Sequence, residues 1–353
     1  MEGEIKNLVK VWLSILSSLC YCYFLASKIP KGKRRLLSLL PILFLFTILP
    51  FYLTYVFPIG LVALFFSWLG NFKLLLFAFD KGPLSSHPPY SLVHFILIAS
   101  LPIKIKENKK YPSPQIPQSP QISSPKHPKL PLNWPTKVLL FAILVSAHDH
   151  MQFMHQKIVL LLYCCMVYLL IDIIFGISNG LVRSVSEFEL ESPSNEPYLS
   201  TSLQDFWGKR WNLMVTNLLR HTIYKPVRLF SDNLLGSKWA PLAAVLVAFL
   251  VSGLMHELLF YYIIRVSPTW EVTWYFLLHG ACVVMEFGVK RVFSGKLQLH
   301  WAVSALLTVG FVVATAMWLF FPPLLRTGVV QRAIEECKIL LYFAKVLLKV
   351  KYD

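Results

Sequence analysis

The stretch "LVAFLVSGLMHELLFYYII", residues 246–264, sets His256 and Glu257 side by side in an otherwise apolar run. Histidine is the side chain whose proton moves near neutral pH. A carboxylate close to it can favour the charged imidazole. Both groups are costly to desolvate, so inside a membrane they face a cavity or a partner. Trp239 is of a type that favours the headgroup zone; counted from there, His256 lies about 25 Å along a helix, within the hydrocarbon slab. Ser252 and Gly253, one turn earlier, share its face. A glycine there would let a backbone and a ligand approach closely. Two readings follow: a packing histidine bonded to its neighbours, or a group that handles protons.

The next apolar run, "WYFLLHGACVVMEFGVK", repeats the pattern with His279, Gly280 and Glu286. His279 and Glu286 are two helical turns apart and share a face. Two neighbouring helices thus each bring a histidine and a glutamate into lipid, which favours a polar chamber. A proton-coupled transporter would use the same groups. It would also be expected to show broken helices or internal symmetry, and the sequence has neither. "AHDHMQFMH" holds His148, Asp149, His150 and His155. It closes an apolar run, where polar residues meet headgroups or water, and no cysteine supports it, so no metal is expected. Asp172 in "LLIDIIFG" is a further carboxylate near the end of its run, suited to capping or pairing.

A third polar stretch is "SLQDFWGKRWN", Ser202 to Asn212. Ser202 followed by Asp205 is a capping-box pattern that opens a helix. On that helix Trp207 and Trp211 share a face at i, i+4, with Phe206 beside them. Lys209 and Arg210 lie between the tryptophans. Tryptophan settles at headgroup depth while lysine and arginine snorkel toward water, so the segment should lie at the interface. An interfacial anchor explains the rings and the basic pair. It does not explain Asn212, an amide at the deeper end.

The elements that must hold these groups are membrane spans. Of 353 residues, 56% are hydrophobic and only 15% charged, with a mean hydropathy of +0.58. Soluble domains carry about 25% charged residues. Apolar runs near 8–27, 36–57, 58–80, 137–153, 156–176, 239–263, 270–289 and 299–325 approach the ~20 residues that cross a bilayer. Eight spans, give or take two, are expected, all helical because lipid-facing backbone must satisfy itself. The run 90–103 is short and reads as re-entrant or interfacial. The tail 329–350 is amphipathic, with Arg332, Glu335, Glu336 and Lys338. The first run is too long for a signal-peptide core and no cleavage site follows it.

The net charge of +16 lies in loops. Basic clusters at 31–35, 104–110, 126–137, 209–228 and 290–296 alternate with spans, which fits cytosolic loops under the positive-inside rule. Nucleic-acid binding needs a contiguous basic face and is not expected. Cysteines 20, 22, 164, 165, 282 and 337 show no metal spacing and read as small hydrophobes. A single membrane domain, 1–353, is expected. It contains a proline-rich linker at 104–136, including "YPSPQIPQSPQISSPKHPKLPLNWP", which cannot be helix. It also contains an interfacial segment at 177–238.

"FWGKRWN", then "VSGLMHEL", then a helix with "HG" and a trailing Glu, in that order, resemble the membrane-bound O-acyltransferases. More narrowly, the chain resembles the plant wax synthases, the long-chain-alcohol O-fatty-acyltransferases. "LGNFKLLLFAFDKGPLS", Leu69 to Ser85, adds to the likeness, which runs over nearly the whole chain. The resemblance implies a helical bundle enclosing a catalytic chamber in the bilayer. It maps the family's histidine onto His256 and its asparagine onto Asn212. The acidic neighbour of the diacylglycerol acyltransferase relatives maps onto Glu257. Those relatives have glutamine near the place of His279, where other branches have histidine. The implied substrates are fatty acyl-CoA and a long-chain alcohol, sterol or diacylglycerol, with no bound cofactor, in the endoplasmic reticulum.

The chemistry asks for these residue types. A neutral histidine takes the hydroxyl proton during attack on the thioester, an assistance of typically 10²–10⁴-fold. Successive helix positions diverge by about 100°, so direct contact between His256 and Glu257 does not follow from adjacency. Asn212 could orient the alcohol or steady the oxyanion. No cysteine stands beside either motif, so direct transfer is preferred to an acyl-enzyme. Lys209 and Arg210, flanked by Trp207 and Trp211, suit the phosphates of coenzyme A. Ser252, His279 and Glu286 complete the expected polar chamber.

Overall fold

A computed structural model describes residues 2–85, 90–106, 132–292 and 299–352. The described chain is helical; its one β-bridge pairs Ile105 with Leu190. Much of the proline-rich stretch, and the end of the basic cluster at 290–296, lie outside the described residues.

Among the described residues, seven helices are long and apolar enough to cross a membrane. We number the principal helices α1 Glu2–Phe24, α2 Lys33–Ile48, α3 Val56–Ala78, α4 Leu92–Ser100, α5 Trp134–Ala147 and α6 Gln156–Val185. Next come α7 at 203–210, α8 Leu213–Leu219, α9 Lys225–Leu235, α10 Ala240–Ile264 and α11 Glu271–Val292. The chain closes with α12 Trp301–Phe320 and α13 Val329–Tyr352.

The expected span at 137–153 is not among the seven. Its helix α5 has 14 residues, about 21 Å against a core of about 30 Å. It ends in a 3₁₀ turn at His148–Phe153. It still doubles back on α6: Trp134 lies over Gly176, Lys137 meets Asp172, and His148 meets Tyr163 at 3.2 Å. Such a hairpin returns the chain to the side from which it came. The short run at 90–103 holds a nine-residue helix, α4, too short to cross. Lys73, buried in α3, donates to Ile98 O at 2.7 Å and Leu101 O at 2.6 Å, capping its last turn.

Loop contacts gather the basic segments on one side. Arg35 donates to Ser27 O, Ile29 O and Phe77 O, tying the first loop to the end of α3. Phe188 packs on Tyr90 and His94, and Lys104 pairs with Glu191 at 2.6 Å. Arg210 donates to Asn195 O and Glu196 O. This agrees with the alternation of basic loops in the sequence.

Three apolar clusters form the interior. One joins α1 to α4 around Phe46, Phe66, Leu74 and Phe95. A second joins α6, α10, α11 and α12 around Met166, Phe260, Tyr275 and Phe276. A third packs Trp68 and Phe72 of α3 on Met214 and Leu218 of α8, with Met255 of α10 beside them. His256 sits where the second and third meet.

Candidate active site

α10 and α11 lie unusually close. A Cβ on Gly253 would stand 3.0 Å from Thr273 Cα, and one on Gly280 would stand 2.9 Å from Phe249 Cβ. Without a hydrophobic drive between helices in lipid, such small residues set helix contact. Gly253 therefore admits a helix backbone. This corrects the expectation that it opens the helix to a ligand.

Half-buried His256 donates from Nδ1 to the Ser252 carbonyl at 2.8 Å. A carbonyl can only accept, so Nδ1 carries the hydrogen of the neutral ring and Nε2 carries the lone pair. Nε2 has no hydrogen-bond partner among the described residues. The ring stacks on Phe276 with centroids 4.4 Å apart, with Trp68 at 4.9 Å and Phe320 at 6.0 Å. Ser252 thus contributes its backbone to the site; its own side chain is buried.

Glu257 makes no described hydrogen bond to that ring. Its carboxylate accepts from Trp270 N at 2.9 Å, Thr273 N at 3.3 Å and Thr273 Oγ1 at 3.1 Å. These are orphan donors at the start of α11, where negative charge is favoured. The bond also holds Trp270 in a left-handed turn, at φ 64°.

His279 and Glu286 do share a face, and both meet the 203–210 segment. His279 is fully buried, bonded to Trp207 Nε1 at 2.9 Å and Thr315 Oγ1 at 2.9 Å. Glu286 accepts from Gln204 N at 3.2 Å and pairs with Lys290. α11 therefore grips α7 at both ends.

α7 opens on the expected cap, with Asp205 N donating to Ser202 Oγ at 3.2 Å. The expected common face for Trp207 and Trp211 does not form. Residues 206–210 take a wider π-type turn, the helix stops at Arg210, and Trp211 is extended. Trp207 turns inward to His279 and Phe276, whereas Trp211 stacks flat on Phe206 at 5.7 Å. Arg210 is bound at 2.6 Å to Asp205. Lys209 is exposed and has no ion pair among the described residues.

Asn212 adopts a left-handed conformation, φ 41°, and its Oδ1 caps α8 by accepting from Val215 N at 3.2 Å. Its other amide atom, the Nδ2 donor, is left for a second partner. The residue lines a small cleft with Tyr168, Asp172, Ser194 and Trp211. Asp172 there pairs with Lys137 and Ser194. Of the two roles its position suits, cap or pair, Asp172 takes the pair. No described hydrogen bond joins Asn212 to His256.

The 148–155 cluster has other duties. His148 meets Tyr163, His155 accepts from Lys157 N, and Asp149 binds Lys338 at 2.6 Å. The Lys338 ammonium holds the Asp149 carboxyl below the usual carboxylate range.

Residues 191–278 match the model of the membrane bound O-acyl transferase family. Over the full length, "Probable long-chain-alcohol O-fatty-acyltransferase 1" of Arabidopsis thaliana is 45% identical across 349 residues, 98% of this chain and 99% of that protein. The "Long-chain-alcohol O-fatty-acyltransferase" of Simmondsia chinensis is 42% identical, covering 98% and 97%. "Acyl-CoA–sterol O-acyltransferase 1" of Arabidopsis thaliana is 41% identical, covering 94% of each. This chain belongs to the membrane-bound O-acyltransferase family.

As a membrane-bound O-acyltransferase it is a multi-pass helical membrane protein. The matched stretch holds Trp207, Lys209, Arg210, Trp211, Asn212, Ser252, His256 and Glu257 and stops one residue before His279. Thr315, Phe276, Phe320 and Trp68 were not singled out from the sequence. Each lies in an apolar run with no local polar pattern; Thr315 alone offered a signal, a hydroxyl within a span.

Proposed function

We propose that this membrane-bound O-acyltransferase moves a fatty acyl group from acyl-CoA to a long-chain alcohol, giving a wax ester and coenzyme A. The observation that carries the reading is the hydrogen bond from His256 Nδ1 to Ser252 O. It leaves Nε2 bare, which is the atom a general base needs. Nε2 takes the hydroxyl proton as the alcohol oxygen bonds to the thioester carbon. The C–S bond breaks, and the proton passes from His256 to the departing thiolate. Asn212 supplies its Nδ2 hydrogens to the carbonyl oxygen as charge builds there. Glu257, Glu286 and His279 hold helices in place. Lys209, exposed and with no ion pair among the described residues, is a cation for the phosphates of coenzyme A, with Trp207, Arg210 and Trp211 shaping the segment beside it. The acceptor is chosen from the relatives' names, two of the three above specifying a long-chain alcohol and one a sterol. Acyl chain and fatty alcohol are both bilayer solutes, and keeping them in lipid avoids about 0.8 kcal/mol per CH₂ returned to water. The endoplasmic reticulum, where such substrates are made, is the proposed location.

The test is expression in a yeast strain lacking neutral-lipid acyltransferases, fed fatty alcohol, sterol or diacylglycerol. Wax ester is the expected product. Steryl ester alone would overturn the acceptor, and no ester from verified protein would overturn the activity.

A further inference from the structure

His279 is a second imidazole in the bilayer, and its hydrogen bonds define what it can do. The Trp207 indole can only donate, so the nitrogen it meets, Nδ1, must carry a lone pair. The Thr315 hydroxyl hydrogen is used on Phe311 O at 2.7 Å or Val312 O at 3.1 Å. Thr315 Oγ1 therefore accepts from His279, and Nε2 carries the hydrogen. Both nitrogens are occupied and the ring is sealed. To take a proton, His279 would have to release Trp207.

Trp207 is held at two points. Its indole is bound to His279, and its carbonyl accepts from Thr216 Oγ1 at 3.0 Å. Thr216 N in turn donates to Asn212 O at 3.0 Å. On the other side, the Trp207 ring stands 5.7 Å from Phe276, whose face stacks on His256. Trp207 therefore connects to Asn212 through its backbone carbonyl and Thr216, and to the wall of His256 through its ring.

We propose that His279 is a positioning residue that fixes Trp207, and through it the relation of Asn212 to His256, without exchanging a proton in turnover. The proposal rests on the acyl-transfer reading of the site. Glutamine can copy the two bonds, its carbonyl accepting from Trp207 and its amide donating to Thr315. Alanine can copy neither.

The experiment compares His279→Ala, His279→Gln, Trp207→Phe and the pair His279→Ala with Trp207→Phe in membranes. Ester formation is measured against acyl-CoA concentration and pH, with protein level checked by size exclusion of detergent extracts. His279→Ala should lower kcat/KM for acyl-CoA about tenfold, the worth of one net hydrogen bond. His279→Gln should recover to within about threefold of the intact chain, and its acid limb should coincide with that of the intact chain. The pair should be no worse than about twofold below its weaker single variant, because both remove the same bond. If His279→Ala does not accumulate, His279→Gln and Trp207→Phe still decide the matter. The proposal is overturned if His279→Gln is as inactive as the alanine variant, if its acid limb is gone, if the two losses multiply, or if His279→Ala matches the intact chain. Absence of any ester from the intact chain would instead strike the acyl-transfer reading.

Discussion

α10 and α11 each carry a histidine and a glutamate within the membrane, yet the two helices use them differently. Three of the four groups are fully engaged. Glu257 caps the start of α11, Glu286 binds the start of α7 and Lys290, and His279 joins α7 to α12. On α10, His256 alone keeps a nitrogen with no described partner. Depth in lipid does not distinguish the two imidazoles, since both lie in apolar helices. Their partners do. A tied polar group in a bilayer holds helices together, and an untied one is available to a substrate.

The sharpest way to break this contrast is to remove the untied group. His256→Ala should cut ester formation by about 10²–10⁴-fold, the usual contribution of a positioned base, at unchanged protein level. Activity within a few-fold of the intact chain would erase the distinction between the two rings. Next comes a tied group. Glu257→Leu leaves the buried Thr273 donors without an acceptor, a cost of about 1–3 kcal/mol, and frees Trp270 N as well. It should appear as a lower melting temperature and yield in detergent, with Glu257→Gln falling between. A Glu257→Leu protein of normal stability and no activity would instead place this carboxylate in the chemistry.

The contrast between the rings was only half legible in the sequence. The common face of His279 and Glu286 follows from a period of 3.6, and both meet the 203–210 segment. Their partners do not follow, because Trp207 and Gln204 lie more than 70 residues upstream and meet α11 only after the fold has formed. Divergence of successive helix positions denied His256 and Glu257 a pair by adjacency, and the partners of Glu257, Trp270 and Thr273, could not be read from spacing. The i, i+4 reading of Trp207 and Trp211 failed because the 206–210 turn widens and ends, which residue types do not announce. Of the expected spans, only 137–153 is missing from the seven long apolar helices, because its last turn, His148–Phe153, is polar. Gly253 was right in being a point of close approach and wrong in what approaches.

The smallest expected effect extends the comparison to Lys209 and Arg210, adjacent in sequence and opposite in engagement. Arg210 binds Asp205 and the carbonyls of residues 195 and 196, so it holds the loop before α7 against its end. Lys209 is exposed and unpaired among the described residues. Removing an exposed charge is worth about 0.2–1 kcal/mol, so Lys209→Ala should raise KM for acyl-CoA by only about 1.4- to 5-fold. The difference should shrink as salt is raised, because the cation is screened. Arg210→Ala should instead reduce the amount of folded protein, with a salt-insensitive loss of kcat. Kinetic titrations of both variants at low and high ionic strength separate the two behaviours. If Arg210→Ala showed the salt-dependent KM and Lys209→Ala the loss of folded protein, engagement in the resting structure would be the wrong guide to which charge meets the substrate.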